Sequence, residues 1–359
     1  MKLKIWIDVL TPKQALFFAP LYDWLTRNNH DVLLTTRVYR EAVQSLQLKK
    51  LPFHVVGKHG GADPYAKLVS SAQRIMSLAR LIQKWRPDVA VSFSSVEASR
   101  VAFGLSVPHV AVNDSPHSRF VARLTIPLSR YVCSPWIIPS HIWKSFGARR
   151  DDIVAYKALD PAAWLKRHKP NSRVVKELRL TRTNPIVLLR TEEAFASYLA
   201  GKASDKAPVI GPVIREILRL GLKVQIIVST RYGQQAPVLR KMFGRRVRVI
   251  DRVVDAASLL DYSTIFIGSG GTMTIEAALL GKPAISCFPG EKPLYIKYLE
   301  QKGLVKSLKD PKKIALEVKR ILSSPDFLKE QRERGRALLA WMEDPIVRIS
   351  KVVIAAAND

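Results

Sequence analysis

The residues best suited to chemistry begin at Gly268-Ser269-Gly270-Gly271-Thr272, with Glu276 shortly after. Thr264 to Ile267, rich in β-branched and aromatic side chains, reads as a buried strand running into that turn. Adjacent glycines let a backbone come close to a ligand. A helix starting at Thr272 offers unpaired N–H groups and a partial positive charge, which together suit an anion such as a diphosphate. Glu276, about one and a half helical turns further on, is spaced to meet the ribose of a nucleotide seated there. The turn lacks the lysine spacing of a P-loop, and Met273 occupies the place of a third fingerprint glycine. A Gly-Gly strand-to-helix turn with no ligand is the plainer alternative.

Further candidates follow other strands. In Asn113-Asp114-Ser115-Pro116-His117 the carboxylate of Asp114 is spaced to orient the His117 imidazole and raise its basicity, as a general base requires. An Asx-type turn is the competing reading. In Ser94-Ser95-Val96-Glu97 a serine reads as a helix N-cap, with Glu97 in the first turn or in contact with a sugar. Gly57-Lys58-His59-Gly60-Gly61 sets two ionisable side chains among three glycines, a backbone able to close on phosphate. Asp8, Lys13 and Gln14 follow the first strand, and Arg190 and Arg231 follow later ones, where either arginine suits a diphosphate. The remaining histidines are scattered and no Asp-x-Asp motif occurs, so the sequence demands no metal.

These residues must be held by alternating strands and helices, the pattern of parallel sheets covered on both faces. Expected strands in the first half are Lys4 to Val9, Val32 to Thr36, Phe53 to Val56, Val89 to Phe93, His109 to Val112 and a segment at Trp136 to Ile138. The second half is expected to place strands at Ile186 to Leu189, Val224 to Ser229, Val247 to Ile250, Thr264 to Ile267 and Ala284 to Phe288, with a helix near Ala207 to Leu220. Doubly wound sheets bind ligands at the carboxyl ends of their strands, which is where every candidate lies. The expected organisation is an α/β chain of two Rossmann-like domains, residues 1–165 and 185–342, joined by a basic linker at 166–184 and followed by a last helix at 343–359.

The 359 residues suffice for two such domains, and 47% hydrophobic content supports their cores. Two cysteines, Cys133 and Cys287, make no disulfide framework and fit a reducing cytoplasm. No apolar run approaches the length of a membrane span. The net charge of +28 has three readings: an anionic membrane surface, a solvated basic surface, or nucleic acid. Nucleic acid ranks last, because no RNA-binding aromatic signature or zinc finger accompanies the charge.

Ser269, Gly270, Glu276, Gly281 and Pro283 resemble, in spacing, the peptidoglycan N-acetylglucosaminyltransferases of the GT-B superfamily. UDP-N-acetylglucosamine 2-epimerases are similar, with the Ser-Gly-Gly to Glu spacing off by one. The pieces Ile5-Trp6-Ile7-Asp8, Gly57 to Gly61, Arg100 to Leu105 and Asn113 to His117 resemble the largely archaeal domain-of-unknown-function 354 family. The resemblance implies a GT-B-like fold in which 1–165 is the acceptor or catalytic domain, 185–342 the nucleotide domain, the two face a cleft and the helix at 343–359 returns to the first domain. It also implies a nucleoside-diphosphate sugar, a UDP-sugar first, with no cofactor. Ser269, Gly270, Gly271, Thr272, Glu276, Arg231, Arg190 and the Ile250 backbone would hold the nucleotide. Asp114, His117 and Glu97 would do the chemistry, with Asp8, Lys13, Gln14, Lys58, His59, Gly60 and Gly61 around them. Transfer to an acceptor, lipid-linked at a membrane's inner face, is the leading expectation. Epimerisation and a non-catalytic binder are the alternatives. The resembling family commonly has His at the place of Gln14, which counts against simple transfer of mechanism.

Overall fold

Lys4-Ile5-Trp6-Ile7-Asp8-Val9 and Ile186-Val187-Leu188-Leu189 are near-continuous apolar runs, as expected of strands buried on both faces. The computed structural model describes residues 1–181, 183–192, 210–269 and 271–359. It divides into two units, Met1–Trp164 with Met342–Asp359, and Leu165–Trp341.

The first unit carries β1 (Lys4–Val9), α1 (Pro12–Arg27), β2 (Asp31–Val38), α2 (Arg40–Leu48), β3 (His54–Lys58), α3 (Pro64–Trp85), β4 (Val89–Phe93), α4 (Val96–Gly104), β5 (His109–Val112), α5 (Arg119–Thr125), β6 (Tyr131–Pro135), α6 (Ser140–Lys144), β7 (Ile153–Tyr156) and α7 (Ala162–Leu165). Its parallel sheet has the order β3-β2-β1-β4-β5-β6-β7. The second unit carries α8 (Arg173–Glu177), β8 (Ile186–Arg190), α9 (Ile210–Arg219), β9 (Gln225–Ser229), α10 (Gln235–Phe243), β10 (Arg248–Ile250), α11 (Ala256–Tyr262), β11 (Ile265–Gly268), α12 (Thr272–Leu279), β12 (Ala284–Ser286), α13 (Leu294–Gln301), β13 (Val305–Ser307), α14 (Pro311–Leu322) and α15 (Pro325–Trp341). Its parallel sheet has the order β10-β9-β8-β11-β12-β13. The final helix, α16 (Pro345–Ala356), packs on α1 and on β4, β5 and β6 of the first unit. It buries Ile346, Ile349 and Val353 there. Two parallel sheets flanked by helices make this a GT-B-like α/β fold.

Strand order reverses between β1 and β4 in one sheet and between β8 and β11 in the other. Crevices at such switch points are the usual ligand sites of open α/β sheets.

Several elements differ from the sequence reading. Trp136 to Ile138 is not a strand. The sixth strand is Tyr131–Pro135, and Trp136 to Ile138 turns from it toward α6. The apolar Trp-Ile-Ile run mimics a strand because Ile138 is buried beside Trp143 in a local cluster. Strands β7 and β13, four and three residues long, were too short to show a pattern. β3 extends through Gly57 and Lys58, with a register shift opposite Thr36 and Val38. The helix expected from Ala207 is described only from Ile210. Residues 166–184 are not bare linker: they include α8, with Val174, Leu178 and Leu180 buried.

Gly281 has a packing task. At φ +70° it lies so close to α15 that a β-carbon would fall 2.4 Å from the Arg332 Cα. Gly335 on α15 is equally tight against Ala278 and Gly281. Gly281 and Gly335 therefore set the crossing of α12 and α15. No described helix is long and apolar enough to cross a membrane.

Candidate functional site

In the first unit the carboxyl ends of β1 and β4 meet over a buried ion pair. Asp8 receives two hydrogen bonds from Arg74 of α3, at 2.6 and 3.0 Å, and both side chains are fully buried. Thr35 and Ser95 each donate a hydroxyl to Asp8 at 2.6 Å. Burial pushes the Asp8 carboxyl upward, but Arg74 and the two hydroxyls outweigh it and hold the group below its usual range. The Arg74 Nε–H donates to the Val56 carbonyl, and a β-carbon on Gly57 would strike its methylenes at 2.8 Å. Glu97 is buried 3.7 Å from Arg74. Ser95 also caps α4, accepting from the Ala98 N–H, so it joins the helix start to Asp8. Ser94 before it sits at φ +57°, an uncommon conformation for a residue with a β-carbon.

A second cluster lies at the ends of β5 and β7. Lys13, in the first turn of α1, bridges Asp114 at 2.5 Å and Asp160 at 2.6 Å. Its ammonium stands 4.3 Å from the centre of the Phe93 ring. Ser115 donates to Asp114, and Tyr156 donates to Asp160 at 2.5 Å. Through Lys13 the Asp160 and Asp114 carboxyls are held side by side. Two carboxyls this close cannot both ionise easily, so their affinities for protons separate. Burial and the neighbouring Asp114 charge push Asp160 up to about 7, despite Lys13. Burial acts likewise on Asp114, but Lys13 and the hydrogen bonds overcome it and keep Asp114 ionised. Burial lowers the His117 imidazole, with Asp114 opposing and Lys13 assisting, which favours the neutral ring.

Sequence reasoning missed Asp160, Tyr156 and Arg74. Asp160 follows β7, so the carboxyl-end rule would have selected it had that strand been seen. Gln14 is turned inward: its amide accepts from the Leu10 N–H and donates to the Phe93 carbonyl, joining β1 to β4. Asn113 makes the Asx turn, accepting from the Ser115 N–H. That leaves the Asp114 carboxylate to Lys13. His59 is exposed on a different rim. Its Nδ1 accepts from the Gly61 N–H, its ring stacks 5.4 Å from Tyr39, and burial with Arg37 and Lys67 lowers its basicity. Lys58 is exposed beside it, and Gly60 packs directly on the backbone of Lys67.

In the second unit the glycine-rich turn lies at the switch point, between β11 and α12. Gly268 ends β11, Ser269 is half-buried, and Gly271 at φ +106° precedes the first turn of α12 at Thr272. Gly270 lies outside the described residues. Glu276 is buried on α12. Across the switch, the Arg190 guanidinium donates to the Ser229 hydroxyl at 2.5 Å and to the Thr230 carbonyl at 3.0 Å. The Arg231 N–H donates to the Thr191 hydroxyl. The Ile250 carbonyl is taken by the Thr230 N–H and hydroxyl. A cavity of about 210 Å³ beside β10 is lined by Leu178, Val249, Ile250 and Arg252, among others. Among the described residues no three His, Cys, Asp or Glu side chains group to hold a metal.

The family model described as "Protein of unknown function (DUF354)" matches residues 3–358. The chain belongs to the DUF354 family. It is 30% identical over 319 residues to an uncharacterized protein of Methanocaldococcus jannaschii, covering 88% of this chain and 90% of the relative. Among solved structures, S. aureus MnaA with UDP superposes at a TM-score of 0.75 and 16% identity, covering 100% of this chain and 97% of that one. UDP-GlcNAc 2-epimerase of Neisseria meningitidis bound to UDP-GlcNAc gives 0.70 and 16%, covering 98% and 99%. The spinosyn forosaminyltransferase SpnP gives 0.67 and 15%, covering 99% and 100%. At these identities the likeness is one of fold, shared by epimerases and transferases alike.

The Asp114–Asp160 pair makes a pH prediction for this DUF354 member. Below neutrality Asp114 is ionised and Asp160 holds a proton. Turnover is expected to fall as pH rises through about 7, where Asp160 loses its proton. Asp160→Asn should remove that alkaline limb from the pH–rate profile. A limb unchanged in the variant would assign the titration to another group.

Proposed function

We propose that the chain binds a UDP-sugar and isomerises it at C2: a base takes the C2 proton as the C1–O bond to UDP breaks, giving a C1=C2 double bond, and UDP then adds back at C1 as C2 takes a proton on the opposite face. The observation that carries this reading is the Lys13-bridged carboxyl pair, one member ionised and the other holding a proton near neutrality. Proton removal and return need such a pair of unlike groups. Asp114 acts as base, Asp160 as acid, and Lys13 holds both in place. His117 and Glu97 contact the substrate. The second unit holds the nucleotide: Ser269, Gly270, Gly271 and Thr272 carry the diphosphate with Arg231 and Arg190, Glu276 the ribose, and the Ile250 strand edge the base. The likeness to UDP-GlcNAc 2-epimerase structures solved with UDP-GlcNAc, or with UDP-GlcNAc and UDP, supports the same reading.

Glycosyl transfer to an acceptor, a lipid-linked one included, is the second reading. The neutral, exposed His117 favours it, as a base suited to an acceptor hydroxyl. Incubation with UDP-N-acetylglucosamine in D₂O, followed by proton NMR, separates the two. An isomerase exchanges the C2 proton with no acceptor present; a transferase leaves it in place. For the nucleotide site, Glu276→Ala is expected to weaken UDP binding about 10–100-fold, the loss of one hydrogen bond to a charged group. Thermal shifts equal for UDP and polyphosphate would show that net charge alone draws the ligand.

A further inference from the structure

The adjacent helices α3, α4 and α5 present an outer surface unlike the rest of the first unit. Phe120 is 80% exposed, and Leu124, one turn later on α5, is 54% exposed. The Leu124 carbonyl accepts from Ser99 of α4, and the exposed Phe103 lies one turn beyond Ser99. On α3, Tyr65, Leu68 and Met76 are also exposed, and with Ala72 they recur at intervals of three and four residues along one face. Large apolar side chains usually leave water unless something else covers them.

The charges on these helices share one sign, with the exposed Asp63 that caps α3 lying just before its start. Lys67, Arg80, Lys84, Arg100, Arg119 and Arg123 are exposed on these helices, while their only acidic residue, Glu97, is buried. The sequence from Ser115 to Arg150 contains no Asp or Glu. Exposed Phe, Leu and Met flanked by arginine and lysine is the composition of an interfacial membrane face. The apolar groups enter the boundary of the acyl chains and the cations meet anionic headgroups. A second copy of the chain fits poorly, since a self-complementary contact would set these cations against one another. We infer that the α3–α4–α5 face docks on an anionic lipid bilayer, with Phe120 and Leu124 inserted. The inference rests on this surface alone and holds whichever reaction the site carries. It also separates docking from the arginine-rich 240–252 segment of the second unit, which is basic without a comparable apolar stripe.

The native cysteines are buried, so a cysteine placed on the surface is labelled selectively. Phe120→Cys carrying an environment-sensitive fluorophore is compared with Val238→Cys, an exposed site beside Arg240 and Lys241. Vesicles of mixed phosphatidylglycerol and phosphatidylcholine are expected to blue-shift and brighten the label at 120 only, and pure phosphatidylcholine to leave it unchanged. Phe120→Ser with Leu124→Ser should lower vesicle partitioning at least about tenfold, both sites being exposed and outside the packed core. Equal responses at both labels, or no response at 120 while the protein sediments with vesicles, would overturn the proposal in favour of charge alone. A response at 120 that follows protein concentration without vesicles would overturn it in favour of self-association.

Discussion

Asp114→Asn is expected to lower turnover by about 10²–10⁴-fold, the usual worth of a positioned acid or base, while the Kd for UDP stays within about twofold. The split follows from position. Asp114 contacts Lys13, Ser115 and Asp160 in the first unit, whereas the proposed nucleotide contacts belong to the second. The same substitution removes one of the charges that raise Asp160, so the inflection near 7 should move to lower pH in any residual activity. C2 proton exchange measured by NMR across pH tests both statements. A variant with the parent's rate would take Asp114 out of the chemistry, and one that lost rate and UDP affinity together would point to a folding defect.

Asp8→Asn should be the most destabilising single change, by roughly 3–5 kcal/mol, because it leaves the fully buried Arg74 with Glu97, at 3.7 Å, as its one paired carboxylate. Replacing the pair together, Asp8→Leu with Arg74→Met, should recover part of that loss, since the buried pair is removed as a unit, with Glu97 left without its Arg74 partner as the remaining cost. The pair also sets an acid limit. Asp8 has a folded pKa below its ordinary 3.8, so its contribution is complete above that value and is lost as pH falls through the depressed folded value. Urea unfolding at pH 7 and near pH 3 should show the parent losing stability on acidification and Asp8→Asn losing less. Equal pH dependence in both proteins would count against this linkage.

The alternation of apolar runs with helical stretches is local, and so the parallel α/β class is readable from the chain, while the GT-B-like architecture is implied by the resemblance that Ser269, Gly270, Glu276, Gly281 and Pro283 carry. Strand ends were readable too, which is why Asp8, Lys13, Glu97, Asp114 and the Gly268–Thr272 turn drew attention. What those residues do for one another was not readable. Asp8, at a promising strand end, points into the core because Arg74, 66 residues away and one of 58 basic residues, is buried beneath it. Asp160 stayed hidden because the four-residue β7 that delivers it gives no periodic signal. Lys13 and Asp114 are 101 residues apart, and only the sheet order that sets β1 beside β4 and β4 beside β5 brings them together. Periodicity is a property of neighbours along the chain and survives in the sequence. Charge pairing and the proton affinities it sets depend on distances between remote segments, which only the tertiary structure decides.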